Sequence, residues 1–343
     1  MALKFMNEEL AIDLGTANTV ILNKNREVVL DEPSIIAIDN RTGKMVALGQ
    51  KAQLMDEHVN PGISTIRPLV NGVIADFDAA EMMMSGFIKQ ALKKRKSLFM
   101  PNLKLVVGIP RGSTPVEMRA VRDSAEHSGA RDLYLIYEPM ASALGIGLDV
   151  EAPRGNMVVD IGGGTTEIAV ISLGGIVESD SVRIAGNEIT SNIVEHMSVQ
   201  HNIKIGRTTA EKIKFAVGAV ITELNPDDEP EPYHVCGKNI VTAHPVEADI
   251  TYQEIAHCID KTISQLETKI LSVLQKTPPE LYSDIVENGI WLAGGGSLLR
   301  GIAQRFTDKV NIPFHVADNP LQAVARGTCM ALDKTDEFTF LMR

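Results

Sequence analysis

Two segments of this chain share one local pattern: an apolar run, an aspartate, a glycine turn, then Thr or Asn. Leu10-Ala11-Ile12 leads into Asp13-Leu14-Gly15-Thr16-Ala17-Asn18-Thr19, and Met157-Val158-Val159 leads into Asp160-Ile161-Gly162-Gly163-Gly164-Thr165-Thr166, 147 residues further on. A short apolar run of this kind is a buried strand, so each Asp falls where a strand ends and a glycine turn begins. Glycines let the backbone approach a polyphosphate and turn its N–H groups toward it, Thr and Asn add donors, and an Asp can hold Mg²⁺ through water. One copy is weak evidence. Two copies constrain the fold, because they suggest two facing phosphate-binding hairpins with a nucleotide held between two halves.

The rest of the chain follows that division. At 343 residues it exceeds one ordinary core and suits two domains. Residues 8–48 alternate apolar runs with turn residues (10–12, 20–22, 28–30, 35–38) and read as a β-meander. From Phe77 the period becomes helical through Ala80, Met84, Phe87, Ile88, Ala91 and Leu92, followed by a strand at 105–109, a helix near 115–128, a strand at 134–137 and a short helix at 139–147. The second half repeats the order: a meander at 156–183, helices near 187–201 and 208–217, and a long helix at 251–276 carrying Ile255, Ile259, Ile263, Leu266, Ile270 and Leu274. The class is α/β, with duplicated halves. The polar stretch 149–155 suits a domain boundary, and the acidic, proline-rich 225–232 reads as a surface loop.

The net charge of −11 argues against nucleic-acid binding, which needs a basic surface. Cys236, Cys258 and Cys329 are widely spaced and in no metal-ligand pattern, which points to a reducing cytoplasm. No apolar run approaches the roughly 20 residues of a spanning helix, and the first residues lack a signal-peptide core. A cytoplasmic protein is expected.

Five blocks in order (DLGTANT at 13, YEPMASALGIG at 137, DIGGGTTEIAVISLGG at 160, GRTTAEKIK at 206 and LAGGGSLLRG at 292) make the chain resemble, nearly end to end, the MreB family of bacterial actin homologues. The resemblance implies the actin-like ATPase fold: two lobes with mixed five-stranded sheets flanked by helices, each with a smaller subdomain, closing on Mg²⁺-ATP. It divides the chain into subdomains IA (1–31, 66–145, 320–343), IB (32–65), IIA (146–184, 247–319) and IIB (185–246).

Carried over residue by residue, it assigns Gly15, Thr16, Ala17 and Asn18 to the first phosphate loop and Gly162, Gly163, Gly164 and Thr165 to the second, with Asp13 and Asp160 holding Mg²⁺ through water. Gly186 and Glu188 would lie near the nucleotide. Glu211, Lys212, Ile213 and Lys214 would face the ribose and adenine, and Gly294, Gly295, Gly296 and Ser297 would pass beneath it. The three glycines also read as a tight strand-to-helix turn, and both readings can hold together. Glu138 matches the family position that polarises the attacking water, with Thr165 helping to place it and Asp160 completing the catalytic set. By itself Glu138 is equally a first-turn glutamate favoured by the helix dipole, with Pro139 at the first helical position. Family members often carry Asp where this chain has Asn187, and no lysine follows the first hairpin.

Between Met82 and Val116 there is no acidic residue, yet Lys89, Lys93, Lys94, Arg95, Lys96, Lys104 and Arg111 fall there, and Leu98-Phe99-Met100 come right after the run that ends at Lys96, before Pro101. In MreB proteins a hydrophobic loop in this region dips into the cytoplasmic leaflet, and this segment would suit that role; the alternative folds it back into the core. The N-terminal Leu3, Phe5, Met6 and Leu10 form a weaker second candidate, opposed by Glu8 and Glu9. The expected protein is an ATP-dependent filament on the inner membrane face, partnered by copies of itself and by membrane proteins of cell-wall elongation, with cell shape as the outcome. A small-molecule kinase of the same superfold, or a non-polymerising division-site scaffold, is the alternative. A seventy-kilodalton-type chaperone is disfavoured, since eleven residues, 333–343, follow the helix expected at 320–332.

Overall fold

The computed structural model describes residues 7–58, 60–93 and 102–343. Its frame is a pair of five-stranded sheets. In the first, Asn7–Leu14 pairs antiparallel with Asn18–Asn23, which pairs antiparallel with Val28–Pro33; on its other edge Asn7–Leu14 runs parallel to Asn102–Ile109, and that strand parallel to Ala130–Tyr137. In the second the same places are taken by Asn156–Ile161, Thr166–Ser172, Gly175–Val182, Ile290–Ala293 and Phe314–Val316. Counted in chain order within each sheet, both run 3-2-1-4-5. The repeat seen in two loops is thus a repeat of whole sheets.

The central strands need no alternation of polar residues because helices cover both faces. Every residue of Asn156–Ile161 and Thr166–Ser172 is buried. The long helix Tyr252–Lys276 is started by the Thr251 side chain, which accepts the Glu254 N–H, and its six expected apolar positions are all buried. In the helix Phe77–Lys93 the stripe differs at one end: Phe77 is 46% exposed, while Met83, outside the expected set, is fully buried. The meander also ends earlier than its spacing suggested. Ile36–Asp39 leaves the large sheet after Pro33, whose ring removes a ladder donor, and pairs instead with Met45–Leu48 and Ile63–Ile66. The second lobe carries its own insertion, the sheet of Ile203–Lys204, Tyr233–Asn239 and Pro245–Ile250. Each insertion enters between the third and fourth strands of its large sheet.

The stretch 149–155 is a packed connection. Val150 is buried, the Gly155 N–H donates to Asp284 Oδ2 at 2.7 Å, and a Cβ on Gly155 would stand 2.5 Å from the Leu281 carbonyl oxygen. The acidic 225–232 segment is mostly exposed around a short 3₁₀ turn, Pro226–Asp228.

Two helices join the lobes. Glu138–Ile146 follows the fifth strand of the first sheet but lies against Asn156–Ile161 and Thr166–Ser172 of the second; Ala323–Asp333 follows the fifth strand of the second sheet but lies against Asn7–Leu14 and Asn18–Asn23 of the first. They cross with backbone on backbone. A Cβ on Gly327 would stand 1.7 Å from the Ala141 carbonyl oxygen and 2.8 Å from Gly145 N; a Cβ on Gly145 would stand 1.9 Å from the Ala323 oxygen and 2.9 Å from Gly327 N. One apolar cluster runs through this crossing, from Val106, Tyr134 and Ile136 to Val158, Ala169 and Ile171.

Leu98, Phe99, Met100, the cations at 94–96, and Leu3, Phe5 and Met6 lie outside the described residues. Leu10 is core, at 2% exposed. Two cations of the basic stretch are committed elsewhere: Lys104 Nζ donates to Thr335 Oγ1 at 2.6 Å, and the Arg111 guanidinium stacks on the Tyr137 ring at 4.6 Å.

Candidate functional site

Each parallel pair of strands delivers an acid to the same end of its sheet. Asp13 pairs with Gly108 and Asp160 with Ala293 at the C-terminal ends, beside the strand where pairing switches from parallel to antiparallel, which is where open α/β sheets bind ligands. Glycine is required at the turn after Ala293: Gly294 has φ +75°, and a Cβ there would stand 2.4 Å from Asp160 Oδ1. The crossing helix brings the third acid. It begins at Glu138, so Pro139 is its second residue rather than its first, and Ser142 one turn on donates its hydroxyl to Asp160 Oδ2.

A cavity between the lobes is lined by Asp13, Gly15, Thr16, Ala17 and Asn18 from one side, Gly162, Gly163, Gly164 and Thr165 from the other, and Glu138, Asp160, Gly294 and Gly295 at its base. The two hairpins meet at its rim: a Cβ on Gly163 would stand 2.7 Å from Ala17 Cβ, and one on Gly164 2.7 Å from Thr16 Oγ1. A second cavity opens beyond that contact, lined by Asn18, Asn187, Glu188, Glu211 and Lys212. The expected phosphate and base residues therefore border two adjoining spaces.

Other expected residues support these walls. Ile213 is fully buried in the core of the second lobe, so its side chain reaches neither cavity. Lys214 Nζ donates to Gly186 O, Thr190 Oγ1 and Glu211 Oε1 at 3.2, 2.9 and 3.3 Å, and burial lowers its pKa. The Gly186 N–H goes to Gly162 O at 3.1 Å, anchoring the second hairpin to the start of the helix Gly186–Gln200. Ser297, 2% exposed, donates to Gly294 O, and Gly296 packs on Ile161; both hold the turn from behind. Asn187 accepts from Arg207.

Two participants had no place in the sequence reading. Glu167, 2% exposed, stands beside Asp160 in register and lines the same cavity; Ser181 Oγ donates to it at 2.6 Å and the Arg111 N–H at 3.3 Å. In sequence it is an acid inside an apolar strand, and that contradiction was its signal. The Asn71-Gly72 tip is the other. It joins Leu69–Val70 to Val73–Ile74 with φ +50° and +73°, an Asn-Gly hairpin turn, and the Gly72 N–H donates to Thr16 Oγ1 at 3.1 Å.

Burial and mutual repulsion act on the acids that line this cavity. Burial, then Asp160 and Asp31, push the Asp13 carboxyl from 3.8 to about 7. Burial raises Asp160 to about 6 against the Ser142 hydrogen bond, and raises Glu167 to about 7. Glu138 is raised well above 4.5 by burial and by Glu167, Asp13 and Asp160. Five acids, these four and Glu117, line the cavity with no Lys, Arg or His among its lining residues. Hard oxygen donors with uncompensated charge fit Mg²⁺.

The pH consequence follows from the sign. A carboxyl whose folded pKa is raised contributes stability that is complete below its unfolded pKa and lost as pH rises through the folded value. For Asp13 that window is 3.8 to about 7. Without divalent cation, Asp13→Asn is expected to raise Tm by a few degrees at pH 8, a stabilisation of roughly 1–2 kcal/mol after discounting partial exposure, and to leave it nearly unchanged at about pH 3, below the window. Calorimetry at the two pH values checks this; equal shifts at both would refute the charge repulsion.

Comparison with known proteins agrees with this fold. The family model described as MreB/Mbl protein matches residues 7–339. The chain is 42% identical over 334 residues to the cell shape-determining protein MreB of Escherichia coli K12, covering 96% of this chain and 94% of that protein. It is 39% identical over 329 residues to the cell shape-determining protein Mbl of Bacillus subtilis 168, covering 96% and 97%. Among solved structures, MreB5 of Spiroplasma citri bound to AMPPNP superposes with TM-score 0.89 at 34% identity, covering 96% of this chain and 97% of that one. The MamK double helical filament, at 19% identity, TM-score 0.79 and coverage of 95% and 99%, shares the fold. The fold is actin-like, and the chain belongs to the MreB/Mbl family.

Proposed function

We propose that this protein is an ATPase that binds Mg²⁺-ATP between its lobes, assembles into filaments on the inner face of the cell membrane, and through them organises cell-wall synthesis and determines cell shape. The observation that carries the catalytic part is the convergence of Asp13, Glu138, Asp160 and Glu167 on one cavity rimmed by the two glycine hairpins. The S. citri relative bound to AMPPNP supports the ligand class, and the names of the E. coli and B. subtilis relatives support the role in shape. Assembly is the step that lets a chain of 343 residues act on the scale of a cell.

Asp13 and Asp160 would hold Mg²⁺, which when bound supplies charge neutralisation for the phosphates. The hairpin N–H groups, with Thr16 and Thr165, would grip the phosphate oxygens. Glu138, held at the first turn of the crossing helix, would orient a water and accept its proton once the cluster's excess negative charge is neutralised. Glu167, fixed by Ser181 and the Arg111 N–H, would hold the negative field that keeps Glu138 basic. The subdomain boundaries at 31/32, 65/66, 145/146, 184/185, 246/247 and 319/320 remain part of this proposal.

Sedimentation and electron microscopy with ATP, with and without anionic vesicles, test it. Concentration-dependent filaments that pellet with vesicles are expected, and a persistent monomer would sink the proposal. Leu98→Ser/Phe99→Ser should keep polymerisation and lose most vesicle binding, since each apolar side chain contributes at most roughly 1.5–3 kcal/mol on burial and a filament multiplies it. Pelleting equal to wild type would remove the loop from the membrane.

A further inference from the structure

Away from the cleft, two imidazoles and a carboxylate converge from separate segments of the second lobe. His196 lies near the C-terminal end of the helix Gly186–Gln200, His201 caps that helix, and Glu254 lies in the first turn of Tyr252–Lys276. His196 Nε2 is 2.6 Å from Glu254 Oε1, and His201 Nε2 contacts the same oxygen. One ligand atom from each residue lies within 4.8 Å of the others. The rings stand edge to face, centroids 5.9 Å apart, and the three side chains are 17, 25 and 24% exposed.

The local structure directs all three groups inward. The Thr251-x-x-Glu254 spacing would let the carboxylate close a capping box, as Glu117 does at Thr114, yet its Oε1 receives both imidazoles. A positive centre here would lie between the C-terminal end of one helix dipole and the N-terminal end of the other, which oppose each other, and its charge would be met by the Glu254 carboxylate. A single carboxylate oxygen can accept from both rings only when each carries its proton on Nε2. A cation among the three would instead take two nitrogen lone pairs, with the ring protons on Nδ1, and one carboxylate oxygen.

We propose that His196, His201 and Glu254 form a binding site for a late first-row divalent cation, zinc foremost. Two nitrogens and one oxygen are a donor set that zinc uses with water in its remaining position, and the partial exposure admits that water. Magnesium and calcium prefer all-oxygen sets, so the cations of the cleft and of this site would not exchange roles. The site would fasten Gly186–Gln200 to Tyr252–Lys276. The opposite end of the first of these helices bonds the second hairpin, through Gly186 N to Gly162 O at 3.1 Å and Asn187 N to Gly163 O at 2.7 Å.

Zinc titration of the full chain, with Mg²⁺ in excess to occupy the cleft, tests the site. The wild type should bind one equivalent of Zn²⁺ that His196→Ala/His201→Ala loses and Glu254→Gln weakens by roughly 10- to 100-fold. Zinc should raise the Tm of the wild type and leave that of the double variant unmoved. If the double variant does not fold, Co²⁺ substitution in the wild type decides: visible bands of a four-coordinate site without thiolate charge transfer support the assignment. Zinc binding by the double variant equal to wild type, or a cobalt spectrum with thiolate charge transfer, would overturn it.

Discussion

Replacing Glu138 with Ala or Gln should leave ATP binding intact and slow phosphate release by roughly 10²- to 10⁴-fold, the range for loss of a positioned general base. Binding is expected to survive because the hairpins, proposed to grip the phosphates, would make no use of this side chain. Removing one of four clustered acids also relieves the others, since Glu138 is raised by burial and then by Glu167, Asp13 and Asp160. The Gln variant is therefore expected to bind nucleotide at least as well as wild type while lacking the proposed proton acceptor. Equilibrium fluorescence with a labelled nucleotide and steady-state phosphate release separate the two effects. Unchanged release in both variants would remove Glu138 from the chemistry and leave it as a first-turn acid of its helix.

The second large effect is on stability. Gly327→Ala places a methyl group 1.7 Å from the Ala141 carbonyl oxygen, a backbone atom that no rotamer change can move. The crossing helices must separate, and the apolar cluster from Val106 to Ile171 opens with them. A loss of about 3 kcal/mol or more is expected, at the upper end of overpacking in a core. Gly206→Ala is the control, with nothing within 4 Å of the added carbon; as a helix cap it should cost under about 1 kcal/mol. Urea denaturation of the pair checks the contrast. Equal midpoints would mean that the helices have slack the structure does not show.

Much of the fold was legible because its signals are local. Asp13 and Asp160 announce strand ends by the apolar runs before them and the glycines after them, and the stripe from Ile255 to Leu274 announces a helix by its period. The lobe crossing left no such mark. Nothing within 138–146 says on which sheet that helix will lie, because the choice is made by Val158, Ala169 and other residues distant in sequence. The site divides in the same way. The hairpins were readable as motifs, whereas Ile213 carries a motif position yet faces the core, and Glu167 faces the cavity from a strand that otherwise reads as core. Asn71-Gly72 was readable in principle, as the dipeptide that favours a two-residue hairpin. Lys104 and Arg111 count toward a basic stretch in sequence, but Thr335 and Tyr137 claim them in space.

The exchange of helices between sheets carries a consequence for timing. Glu138 is tethered to the first lobe through Tyr137, the last residue of its strand, while the rest of its helix rides on the second lobe and Ser142 holds Asp160. Neither lobe alone sets where that carboxylate stands. If the cleft opens or closes, that carboxylate would move along with the walls, so on the proposed mechanism the placing of the attacking water and the grip on the substrate would be a single degree of freedom. An assembly contact that fixes the angle between the lobes would thereby fix the moment of hydrolysis, with no further relay between the surface and the cleft.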